Sequence, residues 1–379
     1  MNRKHLALIA ALVMALAGSA QAASLSSSLA TTIIRNAPEC GGLGFSKLIT
    51  PHTERGFSCV HTAGDVFNPY SAAIAMSLAR GPAEAKVPCY GDGQSGPRVQ
   101  MIYGYYAGLP NRAAAVAKQL RTQMAPRMQA VINAQSDGKD LGIRFAWTKG
   151  CGAIDLITVK FPTSVQYGSN PGDPDGQIQR AINYLSTHGF NRQDRKYQIL
   201  WDGWNVGACG IGELAAIDPI TSLPLNPLSE GLPTLGGHTD PGSVLPSLPN
   251  TRYSMVFNHA GGKTGPTCFN TQGMSTVVPQ IHELFHTLGA VQLDAPHGNN
   301  TGHCDDAPSI MCPGQGPGYG GGINNKACAK VLVETLDCNM DDYWNPDPKV
   351  GSYLFNHWNI AKSTFFGSQP QDFLAAAPL

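Results

Sequence analysis

The chain has 379 residues, with 26 basic against 26 acidic side chains and only 14% charged residues. A formal charge of zero, without a basic stripe, argues against nucleic acid or an anionic lipid surface as partner. The 43 glycines and 28 prolines favour long loops on a stable fold over a helical bundle.

The N-terminus begins Met-Asn-Arg-Lys, continues almost wholly apolar from Leu6 to Ala17, and reaches Ala20-Gln21-Ala22. A basic start, an apolar run too short for a bilayer and an A-x-A site form an export signal. Residues 1–22 are therefore expected to be removed near Ala22-Ala23, leaving a secreted chain of net charge about −2 with no membrane anchor. All 10 cysteines lie beyond that point, and an even count in an exported chain argues for disulfides rather than thiolate ligands. The expected pairs are Cys89–Cys151, Cys209–Cys268 and Cys40–Cys59, with Cys304, Cys312, Cys328 and Cys338 pairing among themselves.

Residues 23–87 are rich in Ser, Thr and Ala, with one helical-looking piece at 70–78, and read as a pro-segment or N-terminal cap. From Gly91 the pattern turns to strands and helices. Val99–Tyr106 is rich in β-formers, and Asn111–Asn133 carries Ala115, Val116, Leu120, Met124 and Met128 near helical spacing. Leu141–Thr148 and Ile154–Phe161 read as strands, Asp175–Leu185 as a helix, Tyr197–Trp201 and Gly210–Ile217 as strands. The Pro/Gly/Ser-rich stretch 217–250, with His238, reads as a surface excursion. Tyr253–Asn258 closes the strand series, and Thr276 reads as the N-cap of a helix with Pro279 in its first turn.

That helix carries His282-Glu283-Leu284-Phe285-His286. Positions i and i+4 share a helix face, so the two imidazoles stand side by side as ligands of one zinc ion must. Glu283, next to the first ligand, reaches a water on the metal as general base. Ile281, Phe285 and Leu288 form an apolar stripe that half-buries the helix, and Gly289 allows a left-handed stop. His297, His303 and Met311 follow.

H-E-x-x-H-x-x-G with a later histidine and a methionine turn resembles the metzincin zinc peptidases. The resemblance implies an α+β fold: a twisted mixed sheet with two helices, the second carrying H-E-x-x-H, above a smaller, loop-rich, disulfide-bonded C-terminal part. It divides the chain into a catalytic domain over 88–379, with an upper subdomain at 88–289 and a lower one at 290–379. The usual third-ligand position holds Gln292, a poor zinc ligand. His303 to Met311 is similar to the matrixin H-S-x-D-P-x-x-x-M pattern, which implies His303 as third ligand after an insertion. His297 is the alternative, and Asp306 stands behind both.

Over about residues 86–366 the chain also resembles a set of exported actinobacterial proteins, through Gly-Ala-Val-Gln…Ala-Pro-His…His-Cys-x-Asp…Met-Cys. These often carry Tyr after Met-Cys, where this chain has Pro313.

The implied activity is hydrolysis of protein or peptide substrates by a monomer holding one catalytic Zn2+, with Met311 under the ligands; the oxyanion partner is left open, Tyr319 in the glycine-rich loop being a weak candidate. A non-enzymatic secreted zinc protein on the same scaffold is the rival reading; Glu334, the last glutamate, lies in no motif that would make it a ligand. Asp337, Asp341 and Asp342, near Asn339 and Asn345, read as a solvated acidic turn, with Ca2+ the alternative. Cys328–Cys338 reads as a short helix, His357 as a packed histidine opening a C-terminal helix, and 314–322 as a flexible loop.

Overall fold

A computed structural model of the chain describes residues 33–35, 45–49, 57–61, 86–167, 174–204, 209–214, 252–259, 268–269, 278–292, 295–298, 302–305, 309–312 and 335–368. Cys40, the 70–78 piece, His238, Thr276, Asp306, Tyr319, Cys328 and Glu334 lie outside the described residues.

In chain order the elements are β1 (Ile33–Arg35), β2 (Phe45–Ile49), β3 (Phe57–His61), β4 (Arg98–Tyr106), α1 (Ala113–Gln119) and α2 (Ala125–Ala134). A π-helical turn, Leu120–Met124, joins the two helices into one run. Then come β5 (Leu141–Ile143), β6 (Leu156–Phe161), α3 (Thr163–Tyr167), α4 (Pro174–Thr187), β7 (Arg195–Trp204), β8 (Gly210–Gly212) and β9 (Arg252–His259). The last are α5 (Val278–Leu288), a 3-10 turn Cys338–Met340, α6 (Tyr353–Asn356), a 3-10 turn Ile360–Lys362 and β10 (Phe366–Ser368).

The architecture is mixed α+β around a mostly parallel five-stranded sheet, in the order β6-β4-β7-β9-β8. β4, β6, β7 and β9 run parallel, and only β8 at the edge is antiparallel to its neighbour. β4 is buried at every position because parallel strands in the middle of a sheet are covered on both faces. Alternation along it sends Met101, Tyr103 and Tyr105 to one face and Ile102 and Tyr106 to the other. The first face packs on Leu120, Met128 and Val131 and on Ile281, Leu284 and Phe285 of α5. The second packs on Ile178, Ile182 and Leu185 of α4.

The expected pair of helices therefore occupies one face only, and α4 covers the other. A parallel sheet with apolar side chains on both faces requires both to be covered.

Residues 33–61 were expected as a Ser/Thr-rich cap, yet the described part forms an antiparallel sheet β1-β2-β3. Leu48 and Val60 are fully buried against the α4 side of the main sheet, and Val60 bridges Glu213 beyond β8. Phe-Ser-Lys-Leu-Ile and Phe-Ser-Cys-Val-His are themselves rich in apolar β-formers, which the Ser/Thr/Ala-rich average of 23–87 conceals.

The C-terminal part shares one apolar core with α1, α2 and α5, and β10 returns to pair with β5. The strand expected over 141–148 is regular only at Leu141–Ile143. The helix expected from His357 ends one residue before it, at Asn356. His357 stacks on Tyr353 and its Nδ1 lies 2.9 Å from the Tyr353 carbonyl oxygen.

Candidate metal centre

α5 was expected to be half-buried, but every residue from Pro279 to Gln292 is buried. Its apolar side meets the sheet, with Trp344 stacked on Phe285 at 5.9 Å. Its polar side is covered by β8. Gly210 and Gly212 alternate onto the same face. A Cβ at Gly210 would fall 2.4 Å from Glu283 Cγ, and one at Gly212 would fall 2.7 Å from the Glu283 carbonyl oxygen and 3.0 Å from His286 Cβ. Two glycines are thus what lets the edge strand lie on the His-Glu-His face. The Gly-Ile-Gly spacing was the signal available for it.

The helix ends at Gly289 with φ +93°, a left-handed conformation that favours glycine. Gly289 N–H donates to the His286 carbonyl and Ala290 N–H to the Phe285 carbonyl, both at 3.1 Å. The Leu288 carbonyl accepts from the Trp358 indole N–H at 2.9 Å, a cap supplied from far along the chain. These bonds fix the pitch of the turn that carries His286.

His303 is the histidine that joins His282 and His286. The three Nε2 atoms form a nearly equilateral triangle: 3.1 Å between His282 and His286, 3.2 Å from each to His303. The rings are 3%, 0% and 1% exposed, so no bulk water supplies partners to that triangle. His282 Nδ1 lies 2.8 Å from the Ile310 carbonyl oxygen, which only accepts. Nδ1 is therefore the protonated nitrogen, and Nε2 presents a lone pair to the centre of the triangle.

Imidazole nitrogens at about 2.0–2.1 Å from a tetrahedral ion stand about 3.3 Å apart. The observed triangle is close to that, and a trio of converging nitrogens fits a cation better than any mutual hydrogen-bond scheme. Glu283, 3% exposed, belongs to the same helix turn as His282 and packs against β8.

His297, the alternative ligand, lies elsewhere. Its backbone N–H donates to Asp342 Oδ1 at 2.8 Å, and its Nδ1 lies 3.2 Å from Asp342 Oδ2. With Asp341 these two form a separate cluster. The acidic turn is not solvated as expected, since Asp337 is 3% and Asp342 0% exposed. Asp337 Oδ2 accepts the backbone N–H groups of Asp342, Tyr343 and Trp344 at 3.1, 2.7 and 2.7 Å. Burial raises the Asp341 carboxyl above its ordinary range, Asp342 beside it adds to this, and His297 opposes.

Gln292, at the common third-ligand spacing, donates its amide to the Gly289 carbonyl at 2.5 Å and stays with the helix end. Met311 is fully buried, and its carbonyl accepts from Cys304 N–H at 3.1 Å, one residue from His303. Disulfides join Cys89 to Cys151, Cys209 to Cys268 and Cys304 to Cys312; Cys338 is also disulfide-bonded. The first ties the start of the domain to the β5–β6 loop, the second β8 to the segment after β9, and the third the His303 segment to Met311's.

Among the described residues no helix is long and apolar enough to cross a membrane. No protein-family model matches the chain, and no curated protein matches it.

Proposed function

We propose that the chain is an exported zinc-dependent endopeptidase of the metzincin type. The triangle of His282, His286 and His303 Nε2 atoms, with Glu283 on the same helix face, carries this reading. An all-imidazole set suits zinc rather than calcium, which takes oxygen ligands. The disulfides among the described residues suit an oxidising compartment.

His282, His286 and His303 would hold the ion. When bound, zinc supplies Lewis-acid polarisation of a carbonyl and acidifies a water. The Glu283 carboxylate takes a proton from the attacking water and returns it to the leaving amine nitrogen, restoring itself in each cycle. Leu214, 8% exposed, packs beside Gly302 and helps keep solvent from the ligand rings.

The test is hydrolysis of a mixed peptide library by the mature chain beside Glu283→Ala, with metal content measured in both. Cleavage by the wild type, reduced about 100-fold or more in the variant at equal zinc, is expected. Full zinc without cleavage by either protein would favour the non-enzymatic zinc protein.

A further inference from the structure

His303 has no helix to hold it. It sits in an irregular segment whose two flanks are tied to one short turn. Upstream, Asp342 takes the His297 backbone N–H at 2.8 Å and faces its Nδ1 at 3.2 Å. The His297 carbonyl in turn accepts Asp305 N–H at 2.9 Å, and Gly298 bridges Cys304. Downstream, Tyr343 Oη accepts Met311 N–H at 3.2 Å, and the Met311 carbonyl accepts Cys304 N–H. Asp342 and Tyr343 are neighbours, both buried, and both are held at the backbone by Asp337.

We infer that the turn Asp337–Trp344 is a positioning clamp for the third metal ligand, with Asp342 gripping the segment before His303 and Tyr343 the segment after it. The inference rests on the metal reading of the histidine cluster. Its physical basis is preorganisation. A ligand on a free loop loses conformational entropy when metal binds, whereas a pinned ligand has lost it on folding. His303 lies beyond the helix that fixes His282 and His286, which ends at Leu288, so its place is set by the Cys304–Cys312 bridge together with this turn.

The experiment reads metal, not hydrolysis. Zinc affinity of the mature chain is measured by chelator competition, and the visible spectrum of the Co2+ form reports ligand geometry. Tyr343→Phe removes the oxygen that accepts Met311 N–H and little else of the side chain, so the fold survives even where Asp342→Asn does not accumulate. Tyr343→Phe is expected to weaken zinc about tenfold and to alter the Co2+ spectrum, with the metal-free unfolding midpoint little changed. His297→Ala, which keeps the backbone N–H bond to Asp342, is expected to lose less affinity than Tyr343→Phe. Lys139→Ala breaks contacts to Pro346 and Asp347 just past the clamp, and is expected to leave zinc affinity unchanged.

Unchanged affinity and spectrum in Tyr343→Phe, or an equal loss in Lys139→Ala, would overturn the clamp. A wild type that binds no metal would remove both this inference and the peptidase reading. Metal binding without hydrolysis would remove only the latter.

Discussion

Gly210 on the edge strand and Glu283 on α5 stand so close that a single added methyl would overlap the carboxylate stem. The missing Cβ would lie 2.4 Å from Glu283 Cγ and 2.6 Å from Oε1. Gly210→Ala must therefore push the side chain of the proposed base, or the strand, by about an ångström. Because a misplacement of that size costs about 100-fold, kcat/KM should fall by that order while zinc content stays at the wild-type level. Peptide turnover within twofold of wild type would show that the base tolerates the shift.

Of the two histidine candidates for the third ligand, only His303 meets the others. His303→Ala should therefore cost the chain most of its zinc on dialysis against a weak chelator, read by elemental analysis. Gln292→Ala should retain it, since that amide bonds the end of α5 rather than the triangle. Retention of zinc by His303→Ala would dismantle the proposed centre.

Trp358 caps α5 through the Leu288 carbonyl. Trp358→Phe keeps most of the ring in its fully enclosed position but leaves that buried carbonyl without its indole donor. The expected cost is about 1–3 kcal/mol, measured by urea unfolding at fixed zinc. An unchanged midpoint would mean that another donor takes over.

Asp202 predicts a pH dependence. Burial would raise its carboxyl, but hydrogen bonds from Arg112 and Tyr103 outweigh this and hold it below the ordinary carboxylate range. Arg112 bonds it through Nε at 2.8 Å and Nη2 at 2.5 Å, Tyr103 Oη donates at 2.6 Å, and the group lines a cavity of about 290 Å³. A folded-state pKa below the unfolded one contributes stability above the unfolded value near about 3.9, lost as pH falls through the folded value. Asp202→Asn should thus be less stable than wild type at pH 7, by about 1–2 kcal/mol given that Arg112 is half-exposed. The gap should narrow steadily below about pH 4. Parallel stability curves from pH 7 down to pH 3 would contradict the assignment.

Much of this was visible in the one-dimensional pattern. Spacing four apart put His282 and His286 on one face, and apolar runs marked β4, β6, β7 and β9, since buried parallel strands are written as apolar blocks. The disulfides Cys89–Cys151 and Cys209–Cys268 were also expected from the sequence. Periodicity failed where residues answer to distant partners. The strands in 33–61 carry apolar residues such as Leu48 and Val60 inside a segment whose average is Ser/Thr/Ala-rich, and Asp337 and Asp342 look solvated until their backbone partners are seen.

The sequence by itself determined which residue types stand ready for metal chemistry, and that two histidines and a carboxylate share a helix turn, because helical geometry is local. Which later histidine completes the trio was a matter for tertiary structure. His297 and His303 are a few residues apart on irregular chain, and in the sequence only the likeness of the His303–Met311 spacing to a family pattern favoured His303. Asp342, far downstream, draws His297 away, while the Met311 segment and the Cys304–Cys312 bridge turn His303 inward.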